Sequence, residues 1–175
     1  MHKVGRRNKM FDNGLKLIQH YESLHDGDLS VIGLQPKMDP VGIWTEGWGH
    51  AMTDGKGNFI KGSVNKKMAY ALSKVKNPEQ ATALMLTDLQ PIFAIIHRKI
   101  TVALNDDQLG ALASFIYNTG GSSTLYNLIN TKSGQLFDWW CKHYITGQGI
   151  PLQGLVYRRH SEALLFTDST LKFFN

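Results

Sequence analysis

The hydrophobic and polar positions of this chain follow two different periods, and each period predicts a different kind of element. Phe11, Leu15 and Ile18 recur at helical spacing, which predicts a first helix over about residues 10–25. From about 38 to 61, glycines and turn residues separate short runs that are typical of strands. Helical periodicity bounded by capping residues then predicts helices over about 63–75, 78–98, 106–118, 123–131, 134–144 and 154–166.

These elements predict an α+β chain that is predominantly helical and carries one small β-sheet. With 175 residues, of which 42% are hydrophobic, the chain can bury most of the surface that its unfolded form exposes. We expect a single domain over residues 1–175. The first helix and a β lobe occupy about 10–62, a helical lobe occupies about 63–166, and a cleft between the lobes is the natural binding site.

The apolar stripe of the first helix continues to an ionisable residue, Glu22. It follows Ile18 by four positions, so its side chain leaves the helix on the face that is predicted to be buried. Burial disfavours the charged form, and we expect a raised pKa that keeps the carboxyl protonated near neutral pH. Glu22 is therefore a candidate general acid.

A second carboxylate and a hydroxyl lie in the segment DPVGIWTEGWGH, residues 39–50. Asp39 precedes Pro40 in a turn-rich stretch, so we expect it to be more solvated than Glu22 and to stay ionised. Thr45 follows Asp39 by six positions, and an even separation places both side chains on one face of an extended segment. Two carboxylates in unlike environments are suited to acid and base roles.

Charge and cysteine content narrow the partners and the compartment. A net charge of +5 and a pI near 9.3 favour an anionic polymer, such as a bacterial cell wall or a nucleic acid. Cys141 is the only cysteine, so no intramolecular disulfide can form; we expect a packed thiol and a reducing compartment. No apolar run follows the basic start, and we expect neither a signal peptide nor a membrane span.

Several motifs occur in a characteristic order after Glu22. They are Asp-x5-Thr at 39–45, Gly-x-Gly-His at 47–50, SFIYNTGG at 114–121 and GLVYRRHSEALLF at 154–166. In this order, the chain resembles the phage-type muramidases, or endolysins, of glycoside hydrolase family 24 from about residue 11 to 166.

The resemblance implies a lysozyme-like catalytic domain and a role for each of three side chains. Glu22 is expected to be the general acid, Asp39 the carboxylate that activates water, and Thr45 the hydroxyl that helps to hold that water. Such a site needs no metal and no cofactor.

The chain departs from the family pattern between its two carboxylates. Sixteen residues separate Glu22 from Asp39, which is more than the family spacing. We interpret the additional residues as a loop insertion that covers most of the segment HDGDLSVIGLQPK. The roles of Asp26 and Asp28 in this insertion stay open. Glu46 follows Thr45 directly, and strand alternation points it away from the catalytic face, which favours a surface or hydrogen-bonded strand carboxylate.

Other side chains of the β region have structural and functional interpretations. His50 has no second histidine nearby at metal-ligand spacing, which favours a structural ion pair, and the family resemblance suggests Asp88 as its partner. Trp44 and Trp48 can stack on sugar rings, and strand alternation, which places them on the face opposite Thr45, equally favours packing in the core.

The carboxy-terminal motifs offer further candidates near the site. Tyr117 and Asn118 lie beside the NTGG turn, and we expect them to bind substrate. Arg158 and Arg159 are adjacent and point about 100 degrees apart on a helix, so we expect only one of them to reach Glu22.

Three functions of different classes fit these features. The leading one is an inverting muramidase that hydrolyses the β-1,4 bond between N-acetylmuramic acid and N-acetylglucosamine in peptidoglycan. A lytic transglycosylase needs only one acid, and the Asp-x5-Thr motif argues against it. A non-catalytic module that binds cell wall or nucleic acid would leave Glu22 on an apolar face unexplained.

For the leading function, we expect peptidoglycan, not nucleic acid, as the partner and a monomeric enzyme without a membrane span. The resemblance implies that the enzyme stays in the host bacterial cytoplasm until a holin allows its release, and then acts on the cell wall.

Overall fold

The computed structural model describes residues 11–147 and 149–174. Its helices are α1 Asp12–Glu22, α2 Lys66–Leu72, α3 Pro78–Lys99, α4 Asp106–Thr119, α5 Ser123–Asn130, α6 Leu136–Lys142 and α7 Gln153–Asp168, and a 3-10 turn, Ser63–Asn65, precedes α2. Its strands are β1 Lys37–Met38, β2 Trp44–Glu46, β3 His50–Ala51, β4 Thr146–Gly147 and β5 Ile150–Pro151. The predicted α+β class, mainly helical with small antiparallel sheets, is confirmed.

The first sheet has the order β1-β2-β3, and both pairs are antiparallel. Thr45 in the central strand lies opposite Lys37 on one side and Ala51 on the other. A second sheet, in which β4 pairs with β5, corrects the expectation of one sheet. Its two-residue strands are too short for a pattern of alternation to reveal them.

The two predicted helices that border the β region end about three residues earlier than the sequence pattern suggested. The first helix, predicted to about residue 25, stops at Glu22 because Ser23 adopts a left-handed backbone conformation with φ 59°; its predicted start at residue 10 lies outside the described residues. The helix predicted over 63–75 is a 3-10 turn followed by α2, which ends at Leu72. By contrast, α4 begins with the capping box that Asn105 forms with Gln108 and ends at Gly120 in the left-handed conformation.

The chain divides into two compact units. One comprises Glu22–Gln90, and the other comprises the chain up to Tyr21 together with the chain from Pro91 onward. The predicted lobe boundaries at about 10, 62 and 166 differ from these, because almost all of α1 belongs to the second unit and the first half of α3 belongs to the first. The single catalytic domain and the cleft stay predictions.

Each unit has its own buried side chains. In the Glu22–Gln90 unit, Trp44, Met52, Ile60 and Ala69 form a core cluster against which Tyr70 packs. In the other unit, α7 packs against α4 and α6, and the fully buried side chains include Leu112, Phe115, Leu125, Trp140 and Leu165. Burial of this apolar surface is the main favourable contribution to folding.

Candidate active site

Glu22 is placed by the end of α1 and by a glycine of the GWGH motif. It is the last residue of the helix and is partly buried. Gly49 has φ 86°, and a methyl group added to it would lie 3.0 Å from Glu22 Oε2. The side chain of any other residue at position 49 would crowd the carboxyl group, so this glycine lets the backbone come close to Glu22.

Asp39 is fixed by the turn that joins β1 to β2. Its Oδ1 accepts hydrogen bonds from the backbone N–H of Val41 at 2.9 Å and of Ile43 at 2.8 Å. Its own N–H donates to the carbonyl of Ile43 at 2.8 Å. The turn therefore holds one oxygen of the carboxylate in a defined direction, as an Asx turn does.

Thr45 is buried in the central strand of the first sheet. Its hydroxyl donates to the carbonyl oxygen of Lys37 at 2.9 Å, a residue that the strand register places directly opposite. Its Oγ1 also lies 2.7 Å from Nδ1 of His25. Thr45 thus belongs to a defined hydrogen-bond network as well as to the sheet.

His25 is a member of this site that the sequence analysis missed. Its backbone N–H donates to the carbonyl of Gly47 at 2.9 Å, which fixes the chain just after α1. Burial lowers the pKa of His25, and the nearby Lys37 ammonium lowers it further, whereas the carboxylates of Glu22 and Asp39 raise it. The imidazole is therefore neutral near pH 7 and lies within electrostatic reach of both predicted catalytic carboxylates. Its place three residues after Glu22, at the start of the insertion, was the available signal.

Asp26 and Asp28, whose roles the sequence left open, stabilise turns within the insertion. Asp26 Oδ1 accepts from the backbone N–H of Asp28 at 3.2 Å and of Gln35 at 3.3 Å. Asp28 Oδ1 accepts from the hydroxyl of Ser30 at 2.6 Å and from its N–H at 3.2 Å, and these hydrogen bonds lower the pKa of Asp28. Their observed contacts are those of loop-forming residues.

His50 and Asp88 form the predicted pair. His50 Nδ1 lies 2.9 Å from Oδ2 and 3.0 Å from Oδ1 of Asp88, and both side chains are partly exposed. The hydrogen bond to Asp88 raises the pKa of His50, although burial opposes that shift. The pair links β3 to α3.

Glu46 has the structural role that strand alternation favoured. It is buried, and its Oε2 accepts from the Ser73 hydroxyl at 2.9 Å and from the N–H groups of Lys74 at 3.0 Å and Val75 at 3.1 Å. The chain after α2 therefore bonds to Glu46 instead of continuing the predicted helix. Of the two tryptophans, Trp44 is in the core and donates to the Gly62 carbonyl at 2.9 Å.

The remaining candidates belong to the other unit, where a buried carboxylate organises the arginines. Glu162 Oε1 accepts from Arg158 Nε at 3.1 Å and from Arg159 Nη2 at 3.1 Å. Glu162 also accepts from the hydroxyl of Ser114 at 2.7 Å and from Nε1 of Trp140 at 3.1 Å. These partners compensate the cost of burying a charged cluster between α4, α6 and α7.

Asn118 receives a hydrogen bond from Arg159 Nη2 at 2.9 Å, and Tyr117 precedes it on α4. Substrate binding by Tyr117 and Asn118 stays a prediction, as does the contact of Arg158 or Arg159 with Glu22. The structure thus brings Glu22, Asp39, Thr45, His50 and Asp88 into one unit, Glu22–Gln90, and the other four candidates into the second.

Three further observations bear on the chemistry. Within residues 11–147 and 149–174, no three His, Cys, Asp or Glu side chains are grouped as metal ligands. The helices in the described part of the chain are too short or too polar to span a bilayer. Cys141 is buried, and burial raises the pKa of its thiol to about 11, as expected of a packed and unreactive cysteine.

Comparison with known proteins identifies similar sequences and folds. Residues 30–162 match the sequence model of a family described as phage lysozyme. An endolysin of Acyrthosiphon pisum secondary endosymbiont phage 1 is 29% identical over 163 residues, which cover 89% of this chain and 95% of the relative. The matched range of the family model begins within the insertion, at residue 30, and therefore does not include Glu22.

Two solved structures have a similar fold. The endolysin from Escherichia coli O157:H7 phage FAHEc1 has a TM-score of 0.67 at 25% identity, covering 93% of this chain and 96% of that one. The muramidase domain of SpmX from Asticaccaulis excentricus has a TM-score of 0.61 at 28% identity, covering 95% and 99%.

Proposed function

The chain belongs to the phage lysozyme family and is a peptidoglycan-hydrolysing enzyme, and we propose that it cleaves the β-1,4 bond between N-acetylmuramic acid and N-acetylglucosamine with inversion. The observation that carries this proposal is the arrangement around His25. This one imidazole is within electrostatic reach of Glu22 and Asp39 and lies 2.7 Å from the hydroxyl of Thr45. That the same side chain interacts with both carboxylates and with the Thr45 hydroxyl supports a common site for the three predicted catalytic residues.

In the proposed mechanism, Glu22 donates its proton to the oxygen of the leaving sugar. Asp39 accepts a proton from a water molecule while that water attacks the anomeric carbon from the opposite face. The two backbone amides that bind Asp39 Oδ1 keep the carboxylate in place during this step. Thr45 holds the same water through its hydroxyl oxygen.

Product analysis tests this proposal directly. Purified peptidoglycan is digested with the enzyme, and the muropeptides are identified by mass spectrometry. We expect reducing ends at N-acetylmuramic acid, and proton NMR during the reaction should show the α-anomer first. An anhydro-sugar would instead identify a lytic transglycosylase, and a β-anomer formed first would refute inversion.

Variants of the carboxylates test the assigned roles. Glu22→Gln and Asp39→Asn keep the side-chain volume, and each should reduce turnover by about 100-fold or more, since proton transfer is worth about 100-fold to 10,000-fold. Asp28→Asn, in the insertion, is the matched control and should keep wild-type activity. A folded Glu22→Gln enzyme with more than about a tenth of wild-type turnover would contradict the acid role.

We also propose that the enzyme is a monomer that stays in the host cytoplasm until a holin permeabilises the membrane. The family resemblance supports this route. Light scattering measures the oligomeric state, and expression with and without a holin tests release. Lysis that proceeds equally fast without the holin would refute the dependence.

A further inference from the structure

The hydroxyl of Thr45 has two partners and only one proton. It lies 2.9 Å from the carbonyl oxygen of Lys37 and 2.7 Å from Nδ1 of His25. The strand register fixes the first contact, because Lys37 and Thr45 are directly opposite in β1 and β2. Both distances are within the range of good hydrogen bonds.

The chemistry of the partners decides where the protons lie. A carbonyl oxygen can only accept, so the Thr45 proton must point to Lys37 to avoid two bare oxygens in contact. The contact with His25 then requires a proton on Nδ1, which donates to Thr45 Oγ1. With the imidazole neutral, Nε2 carries no proton.

This arrangement determines what Thr45 can offer to the site. Its proton is donated to the Lys37 carbonyl, and one lone pair of its oxygen accepts from Nδ1–H of His25. The second lone pair can accept one further hydrogen bond, so towards the substrate Thr45 is an acceptor and not a donor. An attacking water that gives one proton to Asp39 and the other to Thr45 has its own lone pair directed at the sugar.

We propose that His25 is a positioning residue that keeps the Thr45 hydroxyl as an acceptor for the attacking water. This inference rests on the proposed hydrolysis by Glu22 and Asp39. His25 acts through Thr45 and need not touch the substrate.

The surroundings of His25 suit this role. The N–H of His25 donates to the carbonyl of Gly47 at 2.9 Å, which fixes the backbone position from which the ring reaches Thr45. The charged groups around it are the carboxylates of Glu22 and Asp39 and the ammonium of Lys37. Protonation of Nε2 leaves the Nδ1–H donor in place, so the bond to Thr45 survives in both charge states.

Nitrogen-15 NMR of the histidines tests the proton positions without any assay of activity. Long-range nitrogen–proton correlations distinguish the two neutral tautomers, and His25→Asn identifies the signals of His25. We expect the Nδ1–H tautomer at neutral pH. The Nε2–H tautomer would overturn the proposal, whatever the activity of the enzyme.

Kinetics of matched variants test the functional part. His25→Asn keeps an N–H donor near the position of Nδ1, whereas His25→Leu removes it. We expect kcat of His25→Leu to fall about tenfold or more with KM within about twofold, and His25→Asn to recover most of kcat. His97→Leu, at an exposed site on α3, is the control and should behave as wild type. Loss of activity in His25→Asn equal to that in His25→Leu would overturn the proposal.

A double-mutant cycle separates this inference from the proposed function. If His25 acts through Thr45, His25→Leu should cost less than about twofold in a Thr45→Val background. A full additive loss would overturn the link to Thr45 while leaving Glu22 and Asp39 untouched. Wild-type activity of Glu22→Gln would instead refute the proposed function, and the tautomer measurement would still stand.

Discussion

Removing the buried carboxylate of Glu46 should destabilise the protein by several kcal/mol without removing a predicted catalytic residue. Glu46 joins the central strand to the segment after α2 through three hydrogen bonds, all accepted by Oε2. Glu46→Ala removes this acceptor. Glu46→Gln keeps an oxygen that can take the same position but removes the charge, so the two variants separate hydrogen bonding from electrostatics.

The contacts allow the magnitude to be worked out donor by donor. The Ser73 hydroxyl has a second acceptor, the Val75 carbonyl at 3.4 Å, and Lys74 is exposed, so water can replace its lost bond. The N–H of Val75 is buried and would be left without an acceptor, which costs about 1–3 kcal/mol. With about 1 kcal/mol for the exchange at Lys74, we expect Glu46→Ala to lower the free energy of unfolding by roughly 2–4 kcal/mol. Glu46→Gln should lose about half as much, because hydrogen bonds to a charged acceptor are about twice as strong.

Urea unfolding monitored by tryptophan fluorescence and by circular dichroism measures both values. A loss of about 3 kcal/mol corresponds to a fall of about 6–12 °C in Tm for a chain of this size. Both variants should keep turnover near the wild-type value at a temperature where they are folded. A Glu46→Ala protein whose free energy of unfolding is within about 0.5 kcal/mol of wild type would refute the role of this carboxylate.

Three other predictions follow from the same structure. Because Asp88 raises the pKa of His50, the pair stabilises the folded protein fully below the pKa of about 6.5 that His50 has in the unfolded chain. This stabilisation is lost as pH rises through the pKa of His50 in the folded protein. Asp88→Asn should therefore lower Tm more at pH 5.5 than at pH 9, and equal losses would contradict this pH dependence. Thr45→Ser should keep substantial turnover, whereas Thr45→Val should lose about tenfold or more at a temperature where it is folded, and a fully active Thr45→Val enzyme would show that the hydroxyl has no catalytic role. Gly49→Ala should reduce both Tm and turnover, because the added methyl group would lie 3.0 Å from Glu22 Oε2 and residue 49 has a positive φ, which alanine disfavours. Unchanged Tm and turnover would refute this close approach.

Local signals were enough to predict most helices. The capping box of Asn105 and the glycine after Thr119 define α4 within one residue of the prediction. The spacing of apolar residues in α1 also identified Glu22 as a residue of interest, and Asp-x5-Thr located Asp39 and Thr45.

The contacts between distant segments were beyond such signals. The end of α2 depends on Glu46, which lies 28 residues before Lys74, and no local pattern in residues 63–75 shows that a distant carboxylate competes for their amides. His25 was missed for the same reason, since its bond to Thr45 spans 20 residues and the segment between them was interpreted as a loop insertion. The alternation argument did succeed for Glu46, because it depends only on the direction of successive side chains along β2.

Backbone hydrogen bonds close the base of the loop that follows His25, so the length of this loop can be changed without changing the rest of the fold. The N–H of Gly27 donates to the Gln35 carbonyl at 3.0 Å, and Leu34 is tied to the Lys76 carbonyl at 3.0 Å. The two ends of the segment 28–33 are therefore held close together, and Leu29 and Ile32 within it are exposed. Lengthening, shortening or replacing this segment costs little loop-closure entropy and should not displace the backbone at His25 and Asp39. The loop is a suitable place to graft a peptide tag or a wall-binding segment onto the enzyme while the predicted catalytic residues keep their positions.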